Sequence, residues 1–262
     1  MSEKVVSLTP LNNFDSDVEL LKLGGKLCLR RAEDEELPSL LGKLTRDITP
    51  YTSLLEANFV LEDRIEPPSM KSMNNIVLAL RLLKVGDLQA LATFQLRGNR
   101  VLSLGIHGDL NRMILPFNPY FLKKEETADL IELWKRIQVM TPKEHLKFPL
   151  RKFKEAYDRS GLAYVDKIVD YMVALESLVF FDEKESIKPA GKVIGIAVGM
   201  LLGNNHNERA KIKKTLTRAY GVRNAIVHGN LKKLEKYKQG IKKLSLDVEE
   251  YLRRVLRKFI EE

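Results

Sequence analysis

From Lys123 to the end of the chain, apolar residues recur every three or four positions. That sustained helical period limits the fold more than any other feature. Over residues 125–139 it places Leu130, Leu133, Trp134 and Ile137 on one stripe, and Thr141-Pro142 ends the segment. Residues 148–159 and 163–181 are two further amphipathic segments, parted by Ser160-Gly161. Residues 187–202 are apolar nearly all round, which predicts a central helix stopped by Gly203-Asn204-Asn205. Residues 208–227 follow with Ile212, Leu216, Tyr220 and Val227 facing inward, and residues 246–260 carry Val248, Leu252, Val255, Leu256 and Phe259. Five or six such segments joined by short loops make a helical bundle.

The start of the chain follows a different rule. Residues 26–31 and 54–61 read as short strands, the second followed by the loop-forming Glu66-Pro67-Pro68-Ser69. Residues 75–84, NIVLALRLLK, predict a buried helix closed by Val85-Gly86-Asp87. LATFQLRGNRVLSLGIHGD reads as two strands around Gly98-Asn99, a pair that tolerates the positive φ of a tight hairpin turn. The expected fold is mainly α: a smaller α+β region of unknown role over residues 1–119, then a helical domain over residues 120–262.

Cys28 is the sole cysteine, which excludes an intramolecular disulfide and points to a reducing, cytoplasmic setting. The opening MSEKVVSLTP lacks the basic-then-apolar order of a signal peptide. The longest apolar run, residues 193–202, is too short to span a bilayer, so no membrane partner is expected. Charge is more informative once it is located. Residues 207–262 hold 16 Lys or Arg against seven Asp or Glu, which equals the whole net charge of +9. Such asymmetry favours a polyanionic partner, nucleic acid first, because counterion release drives phosphate binding. A solvated face of lysine-rich helices explains the same charge without a ligand.

Signatures of several enzyme classes are missing. There is no GxxxxGK[ST] loop, no GxSxG elbow and no GxGxxG fingerprint. His107, His145, His206 and His228 are scattered with no paired-His spacing, so no metal and no cofactor is expected. What remains is TRAYGVRNAIVHGN at residues 217–230. On a helix, Asn224 and His228 lie four apart and share a face, about 40° round the axis. Arg223 can reach the same site with its long side chain, and Gly229 suits the position just past a helix end. An imidazole titrating near neutrality can exchange protons, and a guanidinium can steady a phosphate. The spacing alone favours a helix-terminal histidine with a backbone hydrogen bond. Glu176 falls on or beside an apolar stripe, where it either orients Arg223 or His228 or forms a structural ion pair.

Residues 148–181, with an aromatic-ended basic helix, an Asp-rich start and Ala174-Leu175-Glu176-x-Leu178, precede Leu201-Leu202-Gly203 and a Tyr220-x-x-Arg223-x-x-x-x-His228-Gly229 pattern. In this order and spacing, residues 120–235 resemble the Apea-like branch of the HEPN (higher eukaryotes and prokaryotes nucleotide-binding) family. The resemblance implies a HEPN-type helical bundle that forms a homodimer, with two Arg-x-x-x-x-His segments meeting in one cleft. It also implies a metal-independent endoribonuclease, in a toxin-like or antiviral setting. Carried over by position, Arg223 would hold the scissile phosphate, His228 would act as general acid or base, and Asn224 would orient either. Glu176 and Tyr220 would support them. Lys211, Lys213, Lys214, Arg218, Lys232 and Lys233 would contact RNA. The chain departs from the pattern at residues 196–200, where relatives often carry an arginine before Leu-Leu-Gly. The competing expectation is a non-catalytic helical dimerisation or nucleotide-binding module.

Overall fold

The structure, a computed structural model, describes residues 4–45, 51–64, 70–107, 118–140, 143–159, 163–181 and 190–261. It is mainly α, with an α+β region at the N-terminal side, and it divides into two compact units, Met1–Gln138 and Val139–Glu262. The division falls after the first long helix of the periodic stretch rather than at 119/120. That helix buries Leu130, Leu133 and Ile137 and belongs to the first unit. Periodicity reports that a helix has a buried face, but not which core receives it.

In the first unit, strands β1 (Val5–Leu11), β3 (Leu20–Gly24), β4 (Leu27–Arg31), β5 (Phe59–Asp63), β6 (Ala92–Arg97) and β7 (Arg100–Ile106) form one antiparallel sheet. Its order is β3-β4-β5-β1-β6-β7. The expected β6–β7 hairpin turns at Gly98, whose φ is +53°. Successive side chains point to opposite faces. One face sends Leu8, Val60, Ala92 and Phe94 into a core with Leu37, Leu40 and Leu41 of α1 (Glu36–Leu44) and Leu54 of α2 (Thr52–Leu55). From the opposite face Phe59 meets Phe14 of β2 (Phe14–Ser16), which stacks on Tyr120 of β8 (Tyr120–Leu122). The Tyr120 hydroxyl donates to the Leu80 carbonyl of α3 (Met70–Leu83) at 2.8 Å, and Lys84 pairs with Glu126 just ahead of α4 (Thr127–Val139).

Residues 54–61, read as one strand, divide instead between the end of α2 and the start of β5. Apolar content is similar in both halves, so a short run of this kind does not separate a buried helical turn from a strand. The loops expected at 66–69, 141–142 and 160–161 lie outside the described residues.

The second unit contains α5 (Glu144–Asp158), α6 (Tyr164–Val179), α7 (Ala190–Leu202), α8 (His206–Val227), α9 (Leu231–Glu235) and α10 (Ile241–Glu261). Helices α6 and α10 supply its centre: Ile168, Tyr171, Met172, Ala174, Leu175, Val248, Leu252 and Leu256 are fully buried. The hydroxyls of Tyr157 and Tyr171 both donate to the buried Glu249 carboxylate, at 2.6 and 3.0 Å.

Helix α7 is not the central helix that its apolar composition predicts. Ile196 and Met200 face solvent, Met200 at 68% exposure, while Gly191, Gly195 and Gly199 are buried. These glycines recur every four residues and lie along one stripe against α8. A Cβ at Gly195 would meet the Cα and carbonyl oxygen of Lys213 at 3.0 Å, and one at Gly199 would meet the Arg209 carbonyl at 3.2 Å. Close backbone approach on this stripe accompanies burial of Ile194, Val198 and Leu202 on the same helix. Among the described residues, no helix is long and apolar enough to cross a membrane.

Candidate functional site

Both ends of α8 are fixed by local chemistry. At its start the Asn205 side chain accepts from the Glu208 N–H at 2.9 Å, and the Glu208 carboxylate accepts from the Asn204 N–H at 2.9 Å. These bonds satisfy donors that the helix itself cannot. At its end, Gly229 takes φ +62°, the Gly229 N–H donates to Ile226 at 3.0 Å, and the Asn230 N–H donates to Ala225 at 2.7 Å. This is a Schellman stop, and it makes His228 the C-cap residue. The Asn230 side chain then caps α9 by accepting from Lys233 N–H at 3.0 Å.

One turn before that stop, Arg223 reaches across to α6. Its Nη2 donates to Glu176 Oε2 at 3.2 Å, and its Nη1 donates to Asn224 Oδ1 at 3.1 Å. The Tyr220 hydroxyl donates to the other Glu176 oxygen at 3.3 Å, and the Arg223 guanidinium lies 5.5 Å from the centre of the Tyr220 ring. Burial, and then the Glu176 charge, push the Tyr220 phenol above its usual pKa, with Arg223 pulling the other way. The phenol therefore stays protonated and able to donate. Arg223 and Glu176 are 21% and 27% exposed, so water reaches the pair. The Arg223 Nε–H is nevertheless shielded from solvent and meets no acceptor among the described residues.

Of the sequence candidates, the structure gathers Arg223, Asn224, Glu176 and Tyr220 into one cluster. The backbone N–H of His228 donates to the Asn224 carbonyl at 3.1 Å. Its exposed imidazole makes no hydrogen bond to the cluster among the described residues. Val227, expected on the inner side of the helix, is 55% exposed beside it. The helix ends at this point, and its last turn has passed beyond the core that receives Ile212 and Leu216. Lys211, Lys213, Lys214, Arg218, Lys232 and Lys233 are all exposed. Arg218 donates to the Gln239 carbonyl at 2.5 Å, and the five lysines form no ion pair among the described residues.

The residue that seats Tyr220 is missing from the sequence reading. A Cβ at Gly191 would lie 2.7–2.8 Å from Cβ, Cγ and Cδ1 of Tyr220, so only glycine lets that ring settle against α7. The signal was present as Gly191, Gly195, Gly199 and Gly203 at a four-residue interval, a stripe along one helix face. His107, bonded to Thr93 at 2.9 Å, belongs to the first unit, while His145 lies between the Phe181 and Phe259 rings. No group of three or more His, Cys, Asp or Glu that could hold a metal occurs among the described residues. Compared with protein-family models, with curated proteins and with solved structures, the chain matches none.

Proposed function

We propose that the second unit is a HEPN-type RNA-binding domain that cuts RNA without metal, acting as a homodimer in the cytoplasm. The observation that carries this reading is the Glu176–Arg223–Asn224 cluster, water-accessible and one turn from an exposed His228. A scissile phosphate replaces Glu176 as the partner of Arg223, whose water-accessible Nη donors suit its oxygens. A ribose 2′-hydroxyl then attacks its own phosphorus. A base takes the 2′-proton, the P–O5′ bond breaks, and an acid returns a proton to the 5′-oxygen. The products are a 2′,3′-cyclic phosphate and a 5′-hydroxyl. His228 supplies one of these proton transfers and its copy in the second chain the other, since an imidazole can act either way near neutral pH. The exposed lysines of α8 and α9 steer the strand through its backbone charge.

The test uses purified protein, mixed single-stranded RNA and excess chelator. Cleavage to cyclic-phosphate ends is expected from the native chain and is lost in Arg223→Ala and His228→Ala. Absence of cleavage, together with undiminished RNA affinity in both variants, overturns the site. A second reading, a helical dimerisation or nucleotide-binding module without catalysis, is favoured by the lack of any hydrogen bond between the His228 imidazole and the Arg223 cluster within one chain. Tight binding of RNA or nucleotide without cleavage is the outcome that selects it.

A further inference from the structure

The first unit contains a second charged cluster, built on a sheet face. Glu62 on β5 stands opposite Leu8 on β1 and Cys28 on β4, so these three side chains share a face with Val6, Arg30 and Leu96. Helices α1 and α2 cover part of that face, over Val60, Ala92 and Phe94. The remainder is an open cleft of about 420 Å³, within the range typical of small-molecule sites.

The floor of the cleft is apolar, formed by Val6, Leu8 and Leu96, and its wall is ionic. Arg30 donates from Nε to Glu62 at 2.6 Å and from both Nη atoms to Glu36, at 2.7 and 3.0 Å. Arg64 donates from Nε to the other Glu62 oxygen. Burial alone would raise the Glu62 carboxyl, but the two arginines outweigh it and hold the group below its usual pKa. Glu62 is 3% exposed and is occupied by those guanidinium groups. Arg64 differs, since its side chain is 64% exposed and, among the described residues, only Nε is engaged. Lys4 stands exposed at the same cleft.

Among the described residues, Lys4, Arg30 and Arg64 against Glu36 and Glu62 leave one positive charge unmatched. That charge sits on groups with free donors beside an apolar floor. Among the described residues no aromatic ring lines the cleft, so a stacked base has no platform there. From the Glu62 strand across β1 to Leu96, the floor crosses two strand spacings, about 10 Å. The geometry points to a binding site for an aliphatic monocarboxylate, with its carboxylate on the Arg64 fork and Lys4 and its chain laid over Val6, Leu8 and Leu96. A fork of parallel N–H donors suits a carboxylate, and a single unmatched charge suits a monoanion better than a phosphate dianion.

Octanoate is the probe, titrated into the full chain by calorimetry, with octan-1-ol and inorganic phosphate as controls. One saturable octanoate per chain is expected, with octan-1-ol and phosphate each at least about tenfold weaker, as expected for loss of a charge-assisted hydrogen bond or of the apolar body. Arg64→Gln is expected to weaken octanoate about tenfold, and Lys4→Gln less. Both side chains are exposed, so folding is retained, and an unchanged thermal transition verifies it. Leu96→Asp provides an independent check, expected to lose octanoate with the Arg64 fork intact. No saturable binding overturns the site, as does octanoate affinity that Arg64→Gln leaves unchanged. Phosphate binding as tightly as octanoate also overturns it, because the apolar floor would then contribute nothing.

Discussion

Arg30 and Arg223 are each drawn to glutamates across a gap between elements, yet the two guanidinium groups are held very differently. Arg30 uses Nε and both Nη atoms on two carboxylates and gives a further N–H to the Arg31 carbonyl at 3.1 Å. One of its partners, Glu62, is 4% exposed at the side chain. Among the described residues, Arg223 makes one 3.2 Å contact to a carboxylate and one to an amide, and its water-shielded Nε–H meets no acceptor. Both members of that ion pair, Arg223 and Glu176, are open to solvent by a fifth or more. A saturated arginine is a clamp, because nothing entering the site can improve on its bonds. An undersatisfied one is a receptor, because an anion with several oxygens can. Sequence proximity of Arg and Glu does not separate the two roles; donor occupancy and exposure do.

Arg30→Met tests this contrast with the largest expected effect. It strands a nearly buried carboxylate, with only Arg64 left beside it, and should destabilise the first unit by about 3 kcal/mol. Trp134 is the sole tryptophan and belongs to that unit, so its fluorescence in a urea titration reports the loss. Arg223→Met should move stability by less than about 1 kcal/mol, as for a solvent-accessible pair. Equal losses in the two variants would remove the distinction between clamp and receptor.

Acid should act on the clamp in the same way. Arg30 and Arg64 hold the folded-state pKa of Glu62 below its ordinary value, against the opposing effect of burial. The stabilisation is therefore complete above the unfolded carboxylate pKa, about 4.3, and is lost as pH falls below it through the folded value. The Trp134 transition should weaken over that acid range, and Glu62→Gln should flatten the dependence. A pH profile unaltered in Glu62→Gln would mean that other carboxylates govern it.

The contact between α7 and α8 gives the next effect in size and bears on how the receptor is held. Gly195→Ala gains helix propensity of about 1 kcal/mol, but the new Cβ meets Lys213 backbone atoms at 3.0 Å and the helices must part. A net loss of about 1–2 kcal/mol is expected in the helical transition followed by far-ultraviolet circular dichroism. A neutral result would show that the helices separate freely, and Tyr220 would then be seated by something other than glycine spacing.

Much of the helical unit was legible because its helices are amphipathic. Ile212 and Leu216 on α8, and Val248, Leu252, Val255 and Leu256 on α10, are buried as their spacing required. Asn205 and Gly229, the two ends of α8, were readable as a stop before it and a C′ residue after it. The segment read over residues 148–159 starts one turn earlier, as α5 runs from Glu144 through Pro149. β1 and β3 were missed, since VVSLTPL carries a proline and LLKLG is short, so neither gives a clean alternation. At the candidate site, residue types and spacing brought out Arg223, Asn224 and His228, and Glu176 was weighed with two roles open. What spacing cannot express is hydrogen-bond occupancy, and that decides what Arg223 is free to do.

Glu176→Gln has the smallest expected effect on stability and the sharpest bearing on the comparison. The substituted amide keeps an oxygen for Arg223, and its NH2 can donate to the Tyr220 hydroxyl in place of accepting from it, so stability should change by no more than about 0.5–1 kcal/mol. The negative charge that competes with an incoming anion is gone. If Arg223 is a receptor, inorganic phosphate should bind the variant several-fold more tightly than the native chain, since about 1 kcal/mol of relieved competition corresponds to roughly fivefold. Arg223→Gln in the same background should abolish the gain. If Arg223 is instead a clamp of the Arg30 kind, Glu176→Gln should lower stability by about 2 kcal/mol or more and leave phosphate affinity unchanged. The two outcomes move different observables, so one pair of titrations decides which kind of arginine ends α8.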